Sequence, residues 1–78
     1  MTMSEFSEHV KLLRKQQKLV QSTVAEALSI SLRQYQRYEK GEQEPTIQGL
    51  ILLADFFGVS IDYLVGRTNN PEVNSLKE

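Results

Sequence analysis

The sequence predicts an all-α fold, a compact bundle of five short helices, and three observations lead there. Apolar residues recur at three- and four-residue spacing along most of the chain. No segment shows the two-residue alternation of a half-buried strand, and Ser, Thr, Gly and Pro interrupt the pattern at intervals suited to short helices. Helices of that length do not stand alone in water, so their apolar faces must share one core. With 78 residues and 40% hydrophobic content the chain can build one thin core, burying about 60% of the surface its unfolded form exposes. It contains no cysteine, so neither a disulfide framework nor a thiolate metal site can staple the fold.

The first helix is predicted from Glu5 to Gln17, with Phe6, Val10 and Leu13 on one face and Ser4 as its N-cap. The second runs from Gln21 to Leu28 and aligns Val24, Ala25 and Leu28. Ser29-Ile30-Ser31 breaks the pattern; Ser31 then caps a third helix over Leu32 to Lys40, which Gly41 ends. Glu42 to Pro45 is a loop, because proline disfavours helix in the residue before it. Thr46 caps a fourth helix with a stripe of Ile47, Leu50, Ile51, Ala54 and Phe57, and Gly58 stops it. Ser60 caps a last short helix carrying Ile61, Leu64 and Val65, which Gly66 ends. Residues 1–66 are thus expected to form one domain, and the polar residues 67–78 a flexible tail.

The segment from Gln21 to Gly41 carries the functional expectation. Two short helices, a three-residue break and a small Ala25 where the helices must cross describe a helix-turn-helix. At about 100° per residue, Tyr35 and Tyr38 of the third helix face the core. Arg33, Gln36, Arg37 and Lys40 lie opposite them, with Leu32 at the margin. That outer face holds two guanidiniums, an ammonium and an amide, and no carboxylate. Arginine reads guanine through O6 and N7, glutamine can read adenine, and an apolar group can touch a thymine methyl. A plain solvated basic face is the alternative.

Net charge is −1, yet it is divided by sign along the chain. Residues 1–41 carry seven basic against four acidic side chains, for +3; residues 42–78 carry two against six, for −4. A polyanion responds to the local face, so the overall balance does not exclude nucleic acid.

Taken together, Arg14, Gln21, Val24-Ala25, Leu28, Ile30-Ser31, Tyr35, Tyr38-Glu39, Gly41, Pro45-Thr46, Leu50, Leu53-Ala54, Phe57-Gly58-Val59-Ser60 and Asp62-Tyr63-Leu64 resemble the Cro/XRE-type family of phage and bacterial repressors, over residues 6–66. The resemblance implies a lambda-repressor-like, DNA-binding helix-turn-helix domain. It further implies base reading by Leu32, Arg33, Gln36 and Arg37, and phosphate contacts from Gln21, Gln34, Lys40, Thr46 and Ile47. Arg14 and Glu39 match the family's paired charges, which tie the first helix to the third. Three departures stand out: Val20 replaces the usual hydroxyl cap, Lys18 and Ser29 replace glycines at turns, and the loop Glu42-Gln43-Glu44 is acidic.

Other functions find little support. His9 is the only histidine and is expected on the surface, so no metal site or cofactor is anticipated. Asp62 suits the positive start of the fifth helix, and no nucleophile–base arrangement or phosphate-binding glycine loop occurs, so an enzyme is not expected. Leu52 and Phe56 are expected to project away from the apolar stripe, which suggests a homodimer formed with Ile61 and Tyr63. No apolar run approaches the roughly 18 residues of a membrane span, and the N-terminus lacks signal-peptide features, so a cytoplasmic protein is expected. The expected function is operator binding as a transcriptional regulator, with duplex DNA as partner and no small-molecule ligand. A protein-interaction module of the antitoxin or adaptor kind is the alternative.

Overall fold

The computed structural model describes residues 3–68 and residue 70, with side chains from residue 5 onward; of the expected tail, residues 69 and 71–78 lie outside the described residues. Five helices follow one another: α1 Met3–Gln16, α2 Gln21–Ala27, α3 Leu32–Lys40, α4 Ile47–Phe57 and α5 Ile61–Leu64. Among the described residues there is no strand.

Each helix is set by its ends. Ser31, Thr46 and Ser60 accept hydrogen bonds from the backbone N–H groups of Gln34, Gly49 and Tyr63, at 3.0, 3.1 and 3.0 Å. These bonds satisfy donors that a helix start leaves open. Val20, at the start of α2, has the extended backbone of a cap but no side-chain bond to give. Ser4 does not cap α1, which begins at Met3 and takes Ser4 into its first turn. Nothing in Met3-Ser4-Glu5 breaks a helix, and Glu5 favours its positive end.

The helix ends share a left-handed residue, with φ of 58° at Lys18, 59° at Ser29, 75° at Gly41, 72° at Gly58 and 83° at Gly66. After α1 the N–H of Leu19 reaches the Arg14 carbonyl at 3.1 Å, and that of Lys18 reaches Lys15 at 3.0 Å, closing the last turn. Glycine adopts this conformation freely, whereas Lys18 and Ser29 each bear about 1–2 kcal/mol of steric cost. The two departures at the turns therefore keep the family's backbone and carry the strain.

The core is built around Phe6, Val10, Val24, Tyr35, Leu53 and Leu64, whose side chains are fully buried. The Phe6 ring meets Tyr38 edge-on at 6.0 Å, joining α1 to α3. Ala25, buried in α2, lets α2 and α3 approach. α1 also packs on α5, and α5 on α4.

In α4 the expected stripe needs correction. Leu53, Ala54 and Phe57 are buried and Leu50 packs against the core, but Ile47 is 77% and Ile51 40% exposed. The inward face is rotated toward Leu53. Phe56 does not point away from the core either: it packs against it, with its ring edge-on to Phe57 at 5.0 Å. His9 is likewise not a surface residue. It is half-buried and stacks on Tyr63 at 4.7 Å, nearly parallel, where α1 meets α5.

Candidate nucleic-acid interface

α3 exists as a helix because Ser31 opens it, Gly41 closes it and its tyrosines anchor it. Tyr35 is fully buried and Tyr38 nearly so, whereas Leu32, Arg33, Arg37 and Lys40 are exposed and Gln36 is half-buried. Arg33, Gln36, Arg37 and Lys40 line a surface concavity of about 450 Å³, together with Glu42 from the following loop. The helix itself brings no carboxylate outward, because its one acidic residue, Glu39, is buried.

Glu39 is the centre of a polar cluster beneath this face. Its Oε2 accepts from Arg14 Nε at 2.6 Å and from the Tyr35 hydroxyl. Its Oε1 accepts from Arg14 Nη2 at 3.1 Å and from Gln21 Nε2 at 3.0 Å. Arg14 Nη1 also donates to the Leu19 carbonyl at 2.8 Å, so one guanidinium binds α1, the turn before α2 and α3 together. Burial alone would push the Glu39 carboxyl up, but the hydrogen bonds from Arg14, Tyr35 and Gln21 outweigh it and hold it below its ordinary value. The bond to Glu39 raises the Arg14 guanidinium, and burial together with Glu39 pushes the Tyr35 phenol up.

Residues expected at phosphates fall into two groups. Gln21 and Gln34 are half-buried and engaged within the protein: Gln21 Oε1 accepts from Gln36 Nε2 at 3.1 Å, and Gln34 Nε2 donates to the Tyr38 hydroxyl at 3.1 Å. Lys40, Thr46 and Ile47 are exposed. At the start of α4 the Thr46 hydroxyl takes the Gly49 N–H. The N–H groups just before it belong to an open helix end, which favours anions.

Of the residues expected to form a subunit contact, Leu52 and Ile61 are 45% and 38% exposed, while Phe56 and Tyr63 pack partly on the core. Leu52 lines a small depression with Leu28, Ile30, Tyr38, Gly49 and Leu53. Ile61 lines a separate groove with Ile51, Ala54, Asp55, Val59, Ser60 and Asp62. Among the described residues no group of three or more His, Cys, Asp and Glu side chains is placed to hold a metal ion, and no helix is long and apolar enough to cross a membrane.

The spacing of α2 and α3, the inward tyrosines and the basic outer face together fit a known pattern, and residues 10–64 match the helix-turn-helix family. The chain belongs to that family, in its Cro/XRE-type branch. An uncharacterised helix-turn-helix-type transcriptional regulator of Bacillus subtilis, YqaE, is 41% identical over 68 residues, which are 87% of this chain and 59% of that protein. The cryptic phage CTXphi transcriptional repressor RstR of Vibrio cholerae is 41% identical over 56 residues, 72% of this chain and 50% of its own length. A crystal structure of a transcriptional regulator from Listeria innocua superposes with a TM-score of 0.76 at 40% identity, covering 81% of this chain and 59% of that one. The helix-turn-helix chain described here thus spans only about half to six-tenths of such relatives.

The Gln21–Gln36 hydrogen bond escaped sequence reasoning. Two glutamines 15 residues apart carry no periodic signal, and only the crossing of α2 over α3 brings them together.

Proposed function

We propose that this chain binds duplex DNA in a sequence-specific manner, with α3 in the major groove, and that it regulates transcription as a repressor. One observation carries the reading: Tyr35 and Tyr38 are buried, which turns Arg33, Gln36, Arg37 and Lys40 outward as one donor-rich face. Arg33, Gln36, Arg37 and Leu32 read base edges. Lys40, Gln34, Gln21 and the start of α4 at Thr46 and Ile47 hold the phosphate backbone in register. Repression is supported by the name of the Vibrio relative. Occupancy near a promoter excludes polymerase and requires no chemistry or cofactor, and the cytoplasm is where such a site is met.

The active form is a homodimer on a near-palindromic operator, its two recognition helices about 34 Å apart in successive major grooves. Exposed Leu52 and Ile61 support a subunit contact around α4 and α5, to which Phe56 and Tyr63 add their outer edges. Selection of bound sequences from a random DNA pool tests both points. The expected product is a symmetric site, bound with affinity that falls steeply as salt rises. Failure to retard any genomic fragment at micromolar protein and low salt would overturn the DNA reading. Sedimentation as a monomer at tens of micromolar, free and on the selected site, would overturn the dimer.

A further inference from the structure

We infer that Gln21 is a positioning residue that fixes which way the Gln36 amide is turned, and that the operator therefore carries an adenine where Gln36 reaches a base. This rests on the reading of α3 as the recognition helix.

An ionised carboxylate only accepts, and its two oxygens offer about four sites. Glu39 uses them on Arg14 twice, Tyr35 once and Gln21 once. Gln21 must consequently present its NH2 group, not its oxygen, to Glu39. Its carbonyl oxygen is left facing Gln36, and only the NH2 end of the Gln36 amide can meet it. One N–H of Gln36 is spent in that bond. What remains is a carbonyl oxygen beside a second N–H, an acceptor and a donor side by side.

That pair complements the N6–H donor and N7 acceptor of adenine in the major groove; guanine offers two acceptors there, and no such match. Without Gln21, the Gln36 amide rotates by half a turn at little cost and accepts other base edges. The partly buried Arg14–Glu39 pair is thereby linked to base choice through two amides, although neither charged residue lies on the outer face.

The experiment compares sequences selected from a random pool by the whole wild-type chain and by Gln36→Ala, Gln21→Met and Gln21→Asn variants. Met keeps the length of Gln21 without its polar groups; Asn keeps the amide but is too short to span Glu39 and Gln36. Thermal melts run alongside identify the variants that are folded at the selection temperature. Wild type is expected to favour adenine on the order of tenfold at one position per half-site. Gln36→Ala erases that preference. Gln21→Met and Gln21→Asn reduce it to about twofold or less and keep the base preferences at positions read by Arg33 and Arg37, while any loss of the Gln21 phosphate contact lowers affinity for all sequences alike. Retention of the adenine preference in both Gln21 variants overturns the inference. A weakening of all sequences by an equal factor with the adenine preference intact also overturns it, because that is the signature of a phosphate contact alone. Enrichment of another base at the position lost in Gln36→Ala overturns the adenine assignment. Enrichment of nothing by wild type would instead sink the DNA reading itself.

Discussion

Arg14 and Glu39 lie 25 residues apart yet meet at two points, Nε to Oε2 at 2.6 Å and Nη2 to Oε1 at 3.1 Å. The pair is shielded, with side-chain exposures of 13% and 4%. In such a setting the loss of one partner strands the other charge. Replacement Glu39→Ala is therefore expected to lower stability by about 3 kcal/mol. Urea denaturation measures it, and a shift below about 1 kcal/mol would place the pair among ordinary surface bridges.

Stability should also depend on pH through this cluster. The Glu39 carboxyl is held below its ordinary value of 4.5, so the unfolded chain takes up a proton there more readily than the native one. Its contribution is complete above that value and is lost as pH falls through the lower native one. Tyr35 is shifted the other way, above its ordinary 10.0, so its contribution is complete below that value and fades as pH rises beyond it. Melting temperature against pH is expected to show both limbs. Glu39→Gln should flatten the acid limb and Tyr35→Phe the alkaline one; an unchanged acid limb in Glu39→Gln would contradict the assignment.

On DNA, Arg33→Ala and Lys40→Ala should differ in kind. In the proposed reading the first removes a base-reading guanidinium and costs on the order of 1–3 kcal/mol at one base pair per half-site, with specificity relaxed there. In that reading the second removes a phosphate contact, weakens all sequences alike and reduces the salt slope by about one. Titrations of selected and random duplexes at several salt concentrations separate these outcomes. Equal losses on both duplexes for Arg33→Ala would remove it from the base-reading set.

Val20 offers a stabilising change. It already has the extended cap backbone, with φ −87° and ψ 159°, and its side chain is 61% exposed. Val20→Thr keeps the branched shape, gives up little packing and supplies the missing acceptor, for a gain of about 1 kcal/mol. In a domain of this size that is a rise of roughly 4–8 °C in Tm. No rise on thermal melting would show that solvent already satisfies the start of α2.

The elements legible in the sequence were those announced by local chemistry. The bounds of α3 follow from Ser31 and Gly41, and the hydroxyls of Thr46 and Ser60 announce their helices in the same way. The burial of Tyr35 and Tyr38 follows from their three-residue spacing. α4 was harder, because Ile47-Gln48-Gly49-Leu50-Ile51-Leu52-Leu53-Ala54 is apolar on nearly every side. Periodicity in such a helix leaves the buried face undecided, and only packing into the shared core turns Leu53 inward. The half-buried place of His9 is hidden from the sequence for a related reason: its partner Tyr63 lies on α5, far along the chain. In the site, the outward arginines were legible from helical angle. The amide relay through Gln21 was not, since it depends on how two helices cross.

At nine residues, α3 is too short to persist as a free peptide. Its outer face lasts only as long as the Tyr35 ring stays seated in the core, where α1 and α2 pack on α3. Recognition and survival of the chain are then one equilibrium observed from two sides. Warming that loosens the interior should abolish the proposed DNA binding at the same midpoint, with no heat-tolerant fragment left to occupy the site.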